Sequence, residues 1–137
     1  MPWYGYIHPL LALITLAHGI RTARVGMNKV LDWDYPLRRQ RNRSIVFLLL
    51  CVGNLVLGFS VNVLLRGQDA AVHLTMHLPL AVAVTVLAVV AVICTFIRPK
   101  RLGELSGPMR IHHWLLIVAS VMVLTMALTG LLRVLGI

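Results

Sequence analysis

The chain has 137 residues, 59% of them hydrophobic and 12% charged, with 13 Lys/Arg against 4 Asp/Glu and a formal net charge of +9. So apolar a composition excludes an ordinary soluble domain and points to an integral membrane protein. Neither a Ser-His-Asp set, an HExxH run nor a glycine-rich phosphate loop occurs, and all four acids (Asp32, Asp34, Asp69, Glu104) fall between apolar stretches, which argues against a proton-coupled transporter.

A membrane-spanning helix needs about 20 predominantly apolar residues. Four stretches qualify and predict helices over 6–27, 44–65, 72–97 and 111–135, an all-α up-down bundle that makes residues 1–137 a single transmembrane domain. The first is the shortest and reaches full length only if it runs past Arg21 and Arg24 with those side chains snorkelling to the interface. It opens on His8-Pro9, proline being tolerated in a first helical turn, where its missing N–H costs nothing. No basic n-region or cleavage site marks a removable signal peptide, so this helix is expected in the mature protein. The second stretch carries Gly53, Gly58 and Ser60, small residues that permit close helix packing or the approach of a flat ring. In the third, His77-Leu78-Pro79 suggests a kink or restart. Cys51 and Cys94 lie within apolar stretches without CxxC or CxxCH and read as small buried hydrophobes.

Basic residues set the expected topology. Eleven of them (Arg21, Arg24, Lys29, Arg38, Arg39, Arg41, Arg43, Arg98, Lys100, Arg101, Arg110) flank the first and third connections, and only Arg66 and Arg133 flank the other side. The positive-inside rule puts those two connections in the cytoplasm and both termini outside, in what reads as a bacterial cytoplasmic membrane. Because the basic residues flank helices, the charge reads as topology plus contact with anionic lipid rather than nucleic-acid binding. Trp3, Tyr4 and Tyr6 fit an outer aromatic belt and Trp33 an inner one. The first connection, with Asp32, Trp33, Asp34, Tyr35 and Pro36, reads as a folded turn or docking surface.

Six histidines in such a chain are candidate functional residues, since ionisable groups in a membrane are costly. They fall at two depths: His8, His73 and His77 at one side, His18, His112 and His113 at the other. Two such clusters suit two haems stacked across a bilayer, each iron held by two imidazoles and so fitted to electron transfer. At the inner side His18 and His113 each lie three residues, roughly 5 Å, from Arg21 and Arg110, arginines suited to haem propionates. Adjacent helical residues diverge by about 100°, so one of His112 and His113 is expected to face the bundle. His113 is assigned that role; His112 and His73 are assigned to the interface. At the outer side His8 pairs with His77, which lies deeper than His73 and is followed by small Ala81. Depths agree imperfectly, since His77 is roughly 31 Å from Arg98 and His8 about 20 Å from Arg21. A copper or zinc site of His8, His73 and His77 is an alternative. Met76, Met122 and Met126 read as packing.

With His8-Pro9, His77 and Arg110 three residues before His113, the chain is similar to a family of small uncharacterised four-helix membrane proteins, related to the four-helix membrane b-type cytochromes of the cytochrome b561-like class, which it also resembles. The resemblance spans nearly the whole chain on short motifs. It implies an electron-transfer subunit rather than a stand-alone enzyme, carrying one or two haems b between quinol and an outer redox partner, within a larger redox or photosynthetic complex. One departure bears on the inner haem. Such proteins often carry a histidine at the cytoplasmic start of the second helix, where this chain has Arg41-Asn42-Arg43-Ser44. A haem-free structural or assembly subunit that packs against partner helices is the competing expectation.

Overall fold

The computed structural model describes residues 6–28, 37–66, 70–97 and 107–134, with side chains at 6–24, 37–61, 63, 64, 77–97 and 111–129. Four helices account for them: α1 (Ile7–Asn28), α2 (Leu37–Arg66), α3 (Ala70–Cys94) and α4 (Gly107–Val134). Each helix packs on its neighbours in sequence, and α4 closes the ring against α1. His8, near the start of α1, meets Gly58 near the end of α2 and His77 early in α3. Gln40 near the start of α2 meets Thr22 near the end of α1, and His112 near the start of α4 meets Ala91 near the end of α3. The helices therefore alternate in direction, as expected of an up-down bundle.

Several boundaries differ from expectation: α4 begins at Gly107 rather than 111, and α3 ends at Cys94 rather than 97. α2 begins at Leu37, so Arg38, Arg39, Gln40, Arg41 and Arg43 lie on the helix rather than in a connection. Unlike lipid-facing charges, basic side chains in a terminal turn can reach the interface and do not stop the backbone from continuing. α3 runs unbroken through Pro79 and does not restart there. Its Pro79 falls far enough inside the helix to remove one i→i−4 bond, and a membrane helix supported by neighbours tolerates that loss. The connection holding Asp32, Trp33, Asp34, Tyr35 and Pro36 lies outside the described residues, as do Trp3 and Tyr4.

Among the described residues, three helices contain stretches long and apolar enough to cross a membrane: Leu37–Val61, His77–Cys94 and Ile111–Thr129. α1, with two histidines and two arginines among its 22 residues, is not among them. Large apolar side chains cover the exterior, for example Leu10, Leu49, Val56, Leu64, Val86 and Trp114. The interior is built of small and polar residues: Ala23, Ala88, Ala91, Ala119, Cys51 and Cys94 around Phe47 and Leu116, with Thr15, Thr22, Gln40, Ser44, His112 and Ser120 buried beside them. That arrangement is consistent with a membrane protein, since helices associating in lipid use small residues for close approach and polar ones as glue. Thr15, Thr22, Ser44 and Thr85 each donate to the carbonyl four residues back, which satisfies those hydroxyls, whereas the buried Ser120 Oγ has no hydrogen-bond partner. Cys51 and Cys94 are buried and free, and Met122 and Met126 pack on the core, both as expected.

Candidate functional site

At one end of the bundle, the first turn of α1 brings His8 to His77 of α3. Their ring centroids are 6.1 Å apart and the planes are steeply inclined, at 73°. Pro9 follows in that first turn without breaking the helix. Both imidazoles are half-buried. The His8 ring lies on Gly58 of α2: a Cβ there would stand 2.7 Å from His8 Cε1 and 3.1 Å from Nε2. Only glycine leaves space for the ring. The flat group seated by this small residue is thus a histidine of the chain itself. His8 Nδ1 is buried with no hydrogen-bond partner, an uncompensated polar atom of the kind that marks a strained or ligand-directed site. Below it, Asn54 of α2 donates to Thr15 Oγ1 at 2.6 Å and ties α1 to α2 at mid-bundle.

The opposite end is organised around a residue that sequence reasoning set aside. His112 is completely buried, with its Nδ1–H donating to the Ala91 carbonyl of α3 at 2.7 Å. That bond fixes the tautomer, so Nε2 accepts, and the Gln40 amide donates to it at 3.2 Å. Gln40, equally buried, also donates to the Thr22 carbonyl of α1 at 3.2 Å. One imidazole and one amide therefore join all four helices. The expectation that His112 is interfacial is corrected: both His112 and His113 are buried, at 0% and 6% exposure, with centroids 5.4 Å apart. A divergence of about 100° between neighbours allows this because α4 packs on α3 along one flank and on α1 along the other.

His18 is not drawn into that network. Its Nε2–H donates to the Arg43 carbonyl at 3.0 Å, and the ring faces a groove with Arg38, Arg39 and Asn42. Arg21 is exposed. Arg41 donates to the Thr95 carbonyl just past the end of α3 and lies 4.3 Å over the Phe96 ring, which ties α2 to the α3 terminus. The side chains of His73 and Arg110 lie outside the described residues. Among the described residues no group of three or more His, Cys, Asp or Glu gathers as a metal site would require.

Of the expected pairs, then, His8 and His77 meet, while His18 bonds Arg43 and His113 lies against His112. Gln40 escaped sequence reasoning because it sits in the basic run ahead of the apolar stretch. Its only signal was that it is the one uncharged residue between Arg39 and Arg41. The chain matches no family model, no curated protein and no solved structure.

Proposed function

We propose that the chain is a membrane-spanning electron-transfer subunit that holds one haem b at the His8–His77 end. The observation that carries this reading is the approach of two histidines from opposite helices, with a buried, unpartnered Nδ1 on one of them. With their ring centroids 6.1 Å apart, both imidazoles are near enough to act on one bound group. The donor set suits haem iron, and the haem when bound would supply one-electron redox chemistry. Residues of this chain do the rest. His8 and His77 orient the group between α1 and α3, Gly58 provides the clearance for the His8 ring, and the surrounding helices exclude water.

We confine the proposal to one haem. At the other end the His112 nitrogens are both engaged and His18 Nε2 is committed to Arg43, so His18, His113, Arg21 and Arg110 receive no second haem in this reading. We read the arginine-rich end as cytoplasmic, by the positive-inside rule, and the His8 end and both termini as outer. Quinol is the proposed donor and an outer redox protein the acceptor. The apolar exterior fits a subunit surrounded by lipid and by the helices of a larger complex.

A second reading, a haem-free packing subunit, is favoured by the closeness of His8 to Gly58 and by the edge-on contact of the rings, which lies within the ordinary range for aromatic pairs. A dithionite-reduced minus oxidised spectrum with a pyridine haemochrome assay separates the two. The haem reading expects about one haem b per chain, lost in His8→Ala and His77→Ala and kept in His18→Ala. Protein made under haem-replete conditions without a haem band would leave the packing reading standing.

A further inference from the structure

The arginine-rich end carries a groove that the haem reading does not use. Arg38, Arg39, Asn42, Arg43 and Val46 of α2, with His18 of α1, line an open depression of about 480 Å³. Asn42 and Arg43 each lie three or four residues from both Arg39 and Val46, which places the four along one side of the helix. Arg43 is within electrostatic reach of Arg39 and of Arg21.

Nothing among the described residues balances this charge, because none of them is Asp or Glu. Position makes the imbalance worse. The first turn of α2 has no acidic residue, and a helix N-terminus already bears partial positive charge, so arginines there oppose the helix dipole as well as one another. One guanidinium nitrogen, Arg43 Nη1, is buried without a hydrogen-bond partner. Guanidinium groups of this kind bind phosphate through paired, charge-assisted hydrogen bonds.

The same face continues into hydrocarbon. Val46 lines the groove and is exposed, and Leu49 is exposed one turn further along α2. A ligand that fits both parts has an anionic phosphate at one end and an alkyl chain at the other. We propose that this groove is a binding site for an anionic phospholipid, with the headgroup phosphate held by Arg39, Arg43 and Arg38, and an acyl chain lying over Val46 and Leu49. Inorganic phosphate shares the headgroup chemistry but not the apolar contact. The proposal is independent of the haem.

The test uses full-length protein, delipidated in neutral detergent and reconstituted with phosphatidylglycerol or phosphatidylcholine, with retained lipid counted by native mass spectrometry. Wild-type protein is expected to retain phosphatidylglycerol in preference to phosphatidylcholine. Arg39→Gln with Arg43→Gln should weaken phosphatidylglycerol retention by about 30-fold, from two basic contacts at a membrane surface. A control with the same loss of charge, Arg66→Gln with Arg133→Gln, removes basic residues at the opposite end of the bundle and should leave retention unchanged. Should the first double variant fail to fold, the lipid preference of the wild type and the milder Arg39→Lys with Arg43→Lys pair still decide the matter, since lysine keeps the charge and loses the paired hydrogen bonds. Equal retention of the two lipids, equal loss in the control, or displacement of bound lipid by millimolar inorganic phosphate would each overturn the proposal.

Discussion

Replacing His112 by alanine should open the bundle at the arginine-rich end. The substitution removes two hydrogen bonds, to the Ala91 carbonyl and from the Gln40 amide, and leaves a fully buried amide N–H with no acceptor. A net hydrogen bond contributes about 0.5–1.5 kcal/mol and an unsatisfied buried group costs about 1–3 kcal/mol. Polar contacts between membrane helices average nearer 0.6 kcal/mol, because the unfolded chain in the membrane also finds partners. Gln40 Oε1 is already buried without a partner, which keeps the sum towards the low end. The expected loss is about 2–4 kcal/mol, cavity included. Reversible unfolding in mixed dodecylmaltoside–SDS micelles, followed by circular dichroism, measures it. A double-mutant cycle sharpens the attribution: Gln40→Leu with His112→Phe replaces both partners by apolar groups and should be less destabilising than either single change, since it strands no polar atom. If His112→Ala stays within about 0.5 kcal/mol of wild type and its effect adds to that of Gln40→Ala, the uncoupled-site limit, the network does not hold the helices together.

Two glycines provide further tests. A methyl group at Gly58 would stand 2.7 Å from His8 Cε1, so Gly58→Ala should cost about 1–3 kcal/mol through overpacking. Combining it with His8→Ala should return most of that loss in the same unfolding assay, and Gly58→Ala alone should weaken any haem band. At Gly19 an added Cβ would meet Ser120 Oγ at 2.7 Å and Phe47 Cε2 at 2.8 Å. Gly19→Ala should therefore lower stability by a similar 1–3 kcal/mol or so, whereas Gly53→Ala, where the nearest foreign atom is Leu11 Cδ2 at 3.9 Å, should be close to neutral. Equal thermal shifts for Gly19→Ala and Gly53→Ala would refute the packing assigned to α1, α2 and α4.

The four helices, their alternation and a close approach at Gly58 of α2 were legible in the amino-acid sequence alone, whereas Ser60 of the same small-residue patch is exposed. Apolar runs of spanning length can satisfy their backbone in lipid only by forming helices, and short connections make neighbours in sequence neighbours in space. The meeting of His8 with His77 was readable for the same reason, both being early in helices that run the same way. Other features depended on side-chain packing between helices. The apolar pattern stops at Ser44, but the backbone of α2 starts seven residues earlier, since terminal arginines can reach polar surroundings while the helix under them continues. That extension is what carries Gln40 into the bundle. A sequence likewise reports only the angle between His112 and His113, and not how many partners α4 has. With α3 on one flank and α1 on the other, both imidazoles are buried, and the hydrogen-bonding carbonyl of Ala91 settles the tautomer of His112. Helix identity is a local property of the chain, set by hydropathy and length. Which polar groups satisfy one another is set by the relative placement of helices distant in sequence, so only the tertiary structure decided it.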